Sequence, residues 1–161
     1  MKKLTDALGQ QLDLLKELHG MLKRETGELS SIHMEAMAEI NTAKEDISTR
    51  IYAHSAVVRV AIQEAAYREG LSQNASLGEL AAGCHIKGNS EVAGLHSQLN
   101  SLAGQIKEQL DLNREIAEKF ALSVGSSLDF ISRIVNQTNT YGASGGYQQR
   151  PAGAVLINRE A

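Results

Sequence analysis

The stretch SEVAGLHSQLNSLAGQIKEQLDLNREIAEKFALSVGSSLDFISRI, residues 90–134, decides the fold of this 161-residue chain. An apolar pattern runs through it at Val92, Leu95, Leu99, Leu102, Ile106, Leu110, Ile116, Phe120, Val124, Leu128, Ile131 and Ile134. Steps of three and four place them along one side of a helix, the seam of a coiled coil. Asn89 and Ser90 are good N-caps for its start. At 1.5 Å per residue such a helix would span roughly 65–70 Å. A helix of that length cannot wrap around a spherical core, so partners of similar length must lie along it, either the preceding helices or another copy of the chain. Asn113 takes the seam position between Leu110 and Ile116. A single polar seam residue can fix register, or it can face water where the stripe drifts; the pattern allows both.

Upstream, a leucine ladder runs Leu4, Leu8, Leu12, Leu15, Leu18, Leu22, then Leu29 and Ile32. After a weak patch at Ser30-Ser31 the period resumes through Ala36, Ile40, Ala43, Ile47, Ile51 and Val58, and fades near Gly70. The spacing predicts helices over about 3–30 and 34–69, with one continuous bent helix as the alternative. Residues 70–90 then carry Gly70, Gly78, Gly83 and Gly88 and few charges. Within them Ser76-Leu77-Gly78-Glu79 has the spacing of a capping box, which predicts a short helix over 76–82. From residue 138 the helical period stops. Gly142, Gly145, Gly146, Pro151 and Gly153 make 138–161 a glycine-rich tail, read as flexible, with a late apolar run at Val155-Leu156-Ile157. The expected architecture is all-α: an elongated antiparallel helical hairpin or coiled-coil bundle of three long helices over 1–137, followed by that tail.

Composition narrows the function. Aromatic residues are 4% and a single proline is present, which disfavours a sandwich or barrel and favours helices. A net charge of −3, with Lys and Arg scattered, offers no basic stripe for nucleic acid. No stretch reaches the roughly 20 apolar residues of a membrane span, and Asp6, Gln10 and Asp13 break any signal-peptide pattern. Cys84 is the lone cysteine, as suits a reducing cytoplasm.

Chemistry is sparse. His19, His33, His54, His85 and His96 form no His-x3-His pair, and no Glu-x-x-His repeat supplies a di-iron site. Glu35, Glu39, Glu45 and Asp46 read as ion-pair partners of Lys44 and Arg50 on a wet helix face. The run 142–146 lacks the strand and lysine of a phosphate loop. No catalytic residues, metal or cofactor are expected. A partner-binding protein is the leading reading; a structural coiled-coil oligomerisation module comes second, and a small helical-bundle enzyme or metal protein third. Tyr141 and Tyr147 sit among the glycines, free for a partner or folded back on the helix end.

Three features together resemble the flagellar export chaperones of the FlgN type. They are the leucine ladder followed by Glu25 and Leu29, with Lys44 and Arg59 on the next helix; the segment Leu110-Asp111-Leu112-Asn113-Arg114; and Tyr141-Gly142-Ala143-Ser144-Gly145, which looks like that family's Tyr-Gly-x-x-Gly signature. The resemblance implies a cytoplasmic, non-enzymatic chaperone, monomer or homodimer, that binds neither nucleic acid nor membrane. It would hold the disordered C-terminal segments of hook-associated subunits, prevent premature assembly and deliver them to the flagellar type III export gate and its ATPase complex. Carried over, the client surface would be Leu99, Leu102, Ile106, Leu110, Asn113, Ile116, Phe120 and Val124. Tyr141, Gly142 and Gly145 would dock on the gate.

Overall fold

The computed structural model describes residues 1–72, 74–86 and 90–137, with side chains through 135 at that end. The described residues are all-helical and form four helices: α1 Lys2–Ser31, α2 Met34–Arg68, α3 Leu77–Ile86 and α4 Ser90–Gln137. They divide into two compact units, Met1–Ala117 and Glu118 onward.

In the first unit, α1 and α2 are separate helices. Ile32 sits in the left-handed region at φ 59, and the His33 N–H donates to the Glu28 carbonyl at 3.2 Å. That six-to-one bond ends α1 as a Schellman turn does, though with a β-branched residue where glycine is the usual choice. Contacts between the two helices run in opposite order along them. Lys3 pairs with Glu64, His54 meets the Ala7 carbonyl, Arg50 forks onto Glu17 and Lys44 reaches Glu25. α1 and α2 are therefore antiparallel. Gly70, at φ 72, lets the chain leave α2, with the Leu71 N–H returning to the Ala66 carbonyl at 2.9 Å.

The capping box of the sequence closes as drawn. The Glu79 N–H donates to Ser76 Oγ, and the Ser76 N–H donates to Glu79 Oε2. α3 runs on to Ile86 instead of ending at Ala82, because Leu80, Ala81 and Cys84 give it a buried face. That face joins Leu4, Ala7, Leu8, Ala61, Ala65 and Val92 in one cluster. A second cluster sets Leu12 and Leu22 of α1 against Leu102 and Ile106 of α4. Val92 lies with Leu4 and Leu8, and Ile106 lies with Leu22. Residue numbers rise together on the two helices, so α4 runs parallel to α1 here. Each fully buried leucine, such as Leu4, Leu8, Leu22 and Leu80, contributes about 1.5–3 kcal/mol.

The described part of the second unit is the end of α4, to Gln137. Every side chain described there is exposed.

Candidate interaction surface

α1 carries Glu25 three residues after Leu22, close to the stripe that packs on α4, so its carboxylate is drawn into the interior and needs partners. It finds two. Lys44 Nζ of α2 donates to Oε1 at 2.5 Å, and Asn113 Nδ2 of α4 donates to Oε2 at 2.9 Å. The glutamate side chain is 9% exposed and that of Lys44 24%. Asn113 gives its other amide proton to the Leu22 carbonyl at 2.9 Å. Its Oδ1 accepts from the Thr26 hydroxyl at 2.6 Å, and Gln109 Nε2 donates to that hydroxyl oxygen at 2.6 Å. Five side chains from three helices thus satisfy one another.

The seam asparagine is buried and bonded across helices, the register-setting alternative. Lys44 binds Glu25, whereas Arg50 is the cation on the wet face, between Glu17 and Asp46. Its guanidinium is held above its ordinary pKa, mainly by the hydrogen bonds it donates to the Glu17 carboxylate. Thr26 and Gln109 escaped the sequence reading. The one available signal was that Gln109 precedes Asn113 by a single helical turn.

The residues proposed from sequence as a client surface fall into two groups. Leu102 and Ile106 are buried against α1, Leu99 packs on the same cluster, and Asn113 is spent in the polar network. These four are engaged inside the first unit. Leu110, also in that unit, is 47% exposed, and Ile116 is half-buried.

In the second unit Phe120 and Val124 are exposed, and Leu128, Ile131 and Ile134 extend their row. At 100° per residue these five occupy an arc of about 120° on α4. Glu118, Lys119, Ser126, Asp129 and Arg133 take other directions, with Leu122 and Phe130 outside the arc. Tyr141, Gly142 and Gly145 lie outside the described residues.

A groove of ≈ 580 Å³ on the α1–α2 pair has a floor of Ala7, Ala56, Val57 and Val60. Asp6, Gln10 and the Lys3–Glu64 ion pair also line it. No three His, Cys, Asp or Glu residues gather as metal ligands among the described residues. No described helix is long and apolar enough to cross a membrane.

A search of curated proteins and a search of solved structures each found no match. Among protein families, the model described as FlgN protein matches residues 1–149. That span includes the leucine ladder, the Glu25–Lys44–Asn113 network, the exposed row on α4 and the Tyr141–Gly145 motif. It stops short of the apolar run at 155–157. With the match covering nearly the whole chain, this protein belongs to the FlgN family of flagellar export chaperones.

Proposed function

We propose that the chain holds the C-terminal segments of hook-associated flagellar subunits on the exposed apolar row of α4, and releases them at the type III export gate. The observation that carries this reading is the row itself. Phe120, Val124, Leu128, Ile131 and Ile134 present an apolar stripe on a helix whose described side chains from residue 118 on bury none of it. Such a stripe matches an amphipathic segment that folds into a helix as it binds. Leu99, Leu102, Ile106 and Asn113 then act by holding the first part of α4 on α1, whereas Phe120 and Val124 meet client. Ordering the client costs a few kcal/mol, which keeps affinity moderate and lets release occur in the cytoplasm at the gate. Tyr141, with Gly142 and Gly145, is the proposed docking element there.

The test is a titration of the purified chain with the C-terminal peptide of a hook-associated subunit. A 1:1 complex is expected, and Phe120→Glu with Val124→Glu should weaken it at least tenfold without loss of helix content. Equal binding by that variant refutes the placement. A chain that ignores the peptide and instead forms stable oligomers through α4 is the structural coiled-coil module.

A further inference from the structure

We propose that the first unit carries a second seat for a partner, a groove between α1, α2 and α4 that receives a short amphipathic helix of another protein in line with α3. The groove shares no residue with the row from Phe120 to Ile134, and it is independent of the client binding proposed above.

The groove has a volume of ≈ 810 Å³ and draws its walls from three helices. Leu18 and Leu22 of α1 and Leu110 of α4 make an apolar floor, and Asn41, Glu45 and Ser48 of α2 stand along one edge. Leu22 is fully buried, Leu18 half-buried and Leu110 exposed, so the floor rises from the core to open surface.

The other end of the unit shows what fits there. α3 lies against the same three helices. Its Leu80, Ala81 and Cys84 cluster with Leu4 of α1, Ala65 of α2 and Val92 of α4, and Ile62 of α2 packs on that cluster. A Cβ on Gly78 would stand 3.5 Å from the His96 ring of α4. Eighteen residues make five whole helical turns, so side chains with that spacing point the same way, about 27 Å apart. Leu22 has that spacing from Leu4, Lys44 from Ile62, and Arg114 from His96. Each of the three helices therefore turns toward the groove the side it turns toward α3. The two places are successive stretches of one trough, and α3, with 10 residues, fills only the first. From Asn41 to Thr49 the second runs for about 12 Å, or two to three helical turns. A helix there satisfies its own backbone. An extended segment would press N–H and C=O groups onto leucine side chains that offer them no partner.

The edges define the partner's charges. Lys107 and Arg114 stand one turn to either side of Leu110 and make the α4 edge basic. On α2 the edge is acidic at Glu45, because the Lys44 ammonium is turned to Glu25. The occupant accordingly presents leucine-type residues at helical spacing, with acidic residues on the flank toward α4 and basic residues on the flank toward α2.

The probe is a synthetic, end-capped peptide of about twelve residues, enough for three turns, with leucines on one face, glutamates on one flank and lysines on the other. Fluorescence anisotropy follows its binding to the full chain, with no client present. Micromolar binding is expected. Ser48→Trp fills the groove from the α2 edge and Leu110→Glu places a charge in its floor; each should weaken binding at least tenfold without loss of helix content. Lys107→Glu makes both edges acidic and should weaken it two- to fivefold, whereas Phe120→Glu with Val124→Glu should bind within twofold of the parent. Absence of binding, equal binding by Ser48→Trp and Leu110→Glu, or loss of binding in the Phe120→Glu/Val124→Glu variant overturns the proposal. An unchanged affinity for Lys107→Glu overturns the charge assignment. Sedimentation in which the parent chain self-associates and Ser48→Trp does not also overturns it, since a second copy would then be the occupant. The client peptide takes no part in these readouts, so failure of its titration leaves this result standing, and the reverse also holds.

Discussion

Glu25 and Asn113 are joined at 2.9 Å although 88 residues separate them in the chain, and the second oxygen of the same carboxylate holds Lys44. One acidic side chain on α1 therefore ties down both α2 and α4. A half-satisfied network of this kind is worse than an apolar one, so losing any member strands the rest. Asn113→Ala should lower stability by about 1–3 kcal/mol, and Lys44→Met by a similar or larger amount, because each leaves Glu25 short of a partner. Replacing Glu25, Lys44 and Asn113 together by Met, Met and Leu should recover most of that loss. Urea unfolding monitored by circular dichroism checks both. A triple variant no more stable than Lys44→Met would show that the network contributes more than mutual neutralisation.

Glycine inside a helix normally has a steric reason, and at Gly20, Gly27 and Gly104 there is none. A Cβ added at any of the three meets nothing within 4 Å. Each of Gly20→Ala, Gly27→Ala and Gly104→Ala should stabilise the protein by about 0.5–1 kcal/mol. The sites share no contacts, so the triple variant should gain roughly the sum. A fall in the thermal midpoint for any one of them would contradict the open surroundings seen here.

Acid should loosen the start of α3 before the rest of the first unit. The Glu79 carboxylate accepts from the Ser76 backbone N–H and from its hydroxyl, and these bonds hold it below its ordinary pKa of 4.5. A carboxyl lowered in the folded state stabilises it above the unfolded value, and that contribution disappears as pH falls through the lowered one. Exchange protection over residues 77–80, corrected for intrinsic rate, should therefore drop below about pH 4.5. Glu79→Gln should be less protected at neutral pH and lack the step. A step of equal size in the variant would assign it to another group.

Tyr141 belongs to delivery in the proposed function, so its loss should separate two steps. Tyr141→Ala is expected to bind a hook-associated C-terminal peptide within about twofold of the parent, a difference under 0.5 kcal/mol. Secretion of hook-associated subunits by cells carrying it should nonetheless fall. Lost peptide binding would move Tyr141 into the client surface.

The sequence by itself determined the helices, because helical periodicity is a local property that each segment carries. The ladder from Leu4, the period resuming at Ala36 and the seam from Val92 each became a helix. Ser76 and Glu79 announced their capping box for the same reason, since its two members are three residues apart. Even Asn113 stood out, as the one polar residue on an apolar row.

What the sequence left open were relations between segments. Lys44 has Glu45 and Asp46 beside it, and local spacing assigns it to them. Only the antiparallel packing of α2 on α1 brings it to Glu25, in a site dry enough to make that partner the better one. Likewise the seam of α4 reads as one continuous surface from Leu99 to Val124. Folding divides it, because α1 supplies Leu12 and Leu22 to bury Leu102 and Ile106, whereas the described side chains from residue 118 onward are all exposed. Periodicity tells which side of a helix is apolar. Which part of that side the chain covers for itself depends on where another helix lies, and only the tertiary structure decided that.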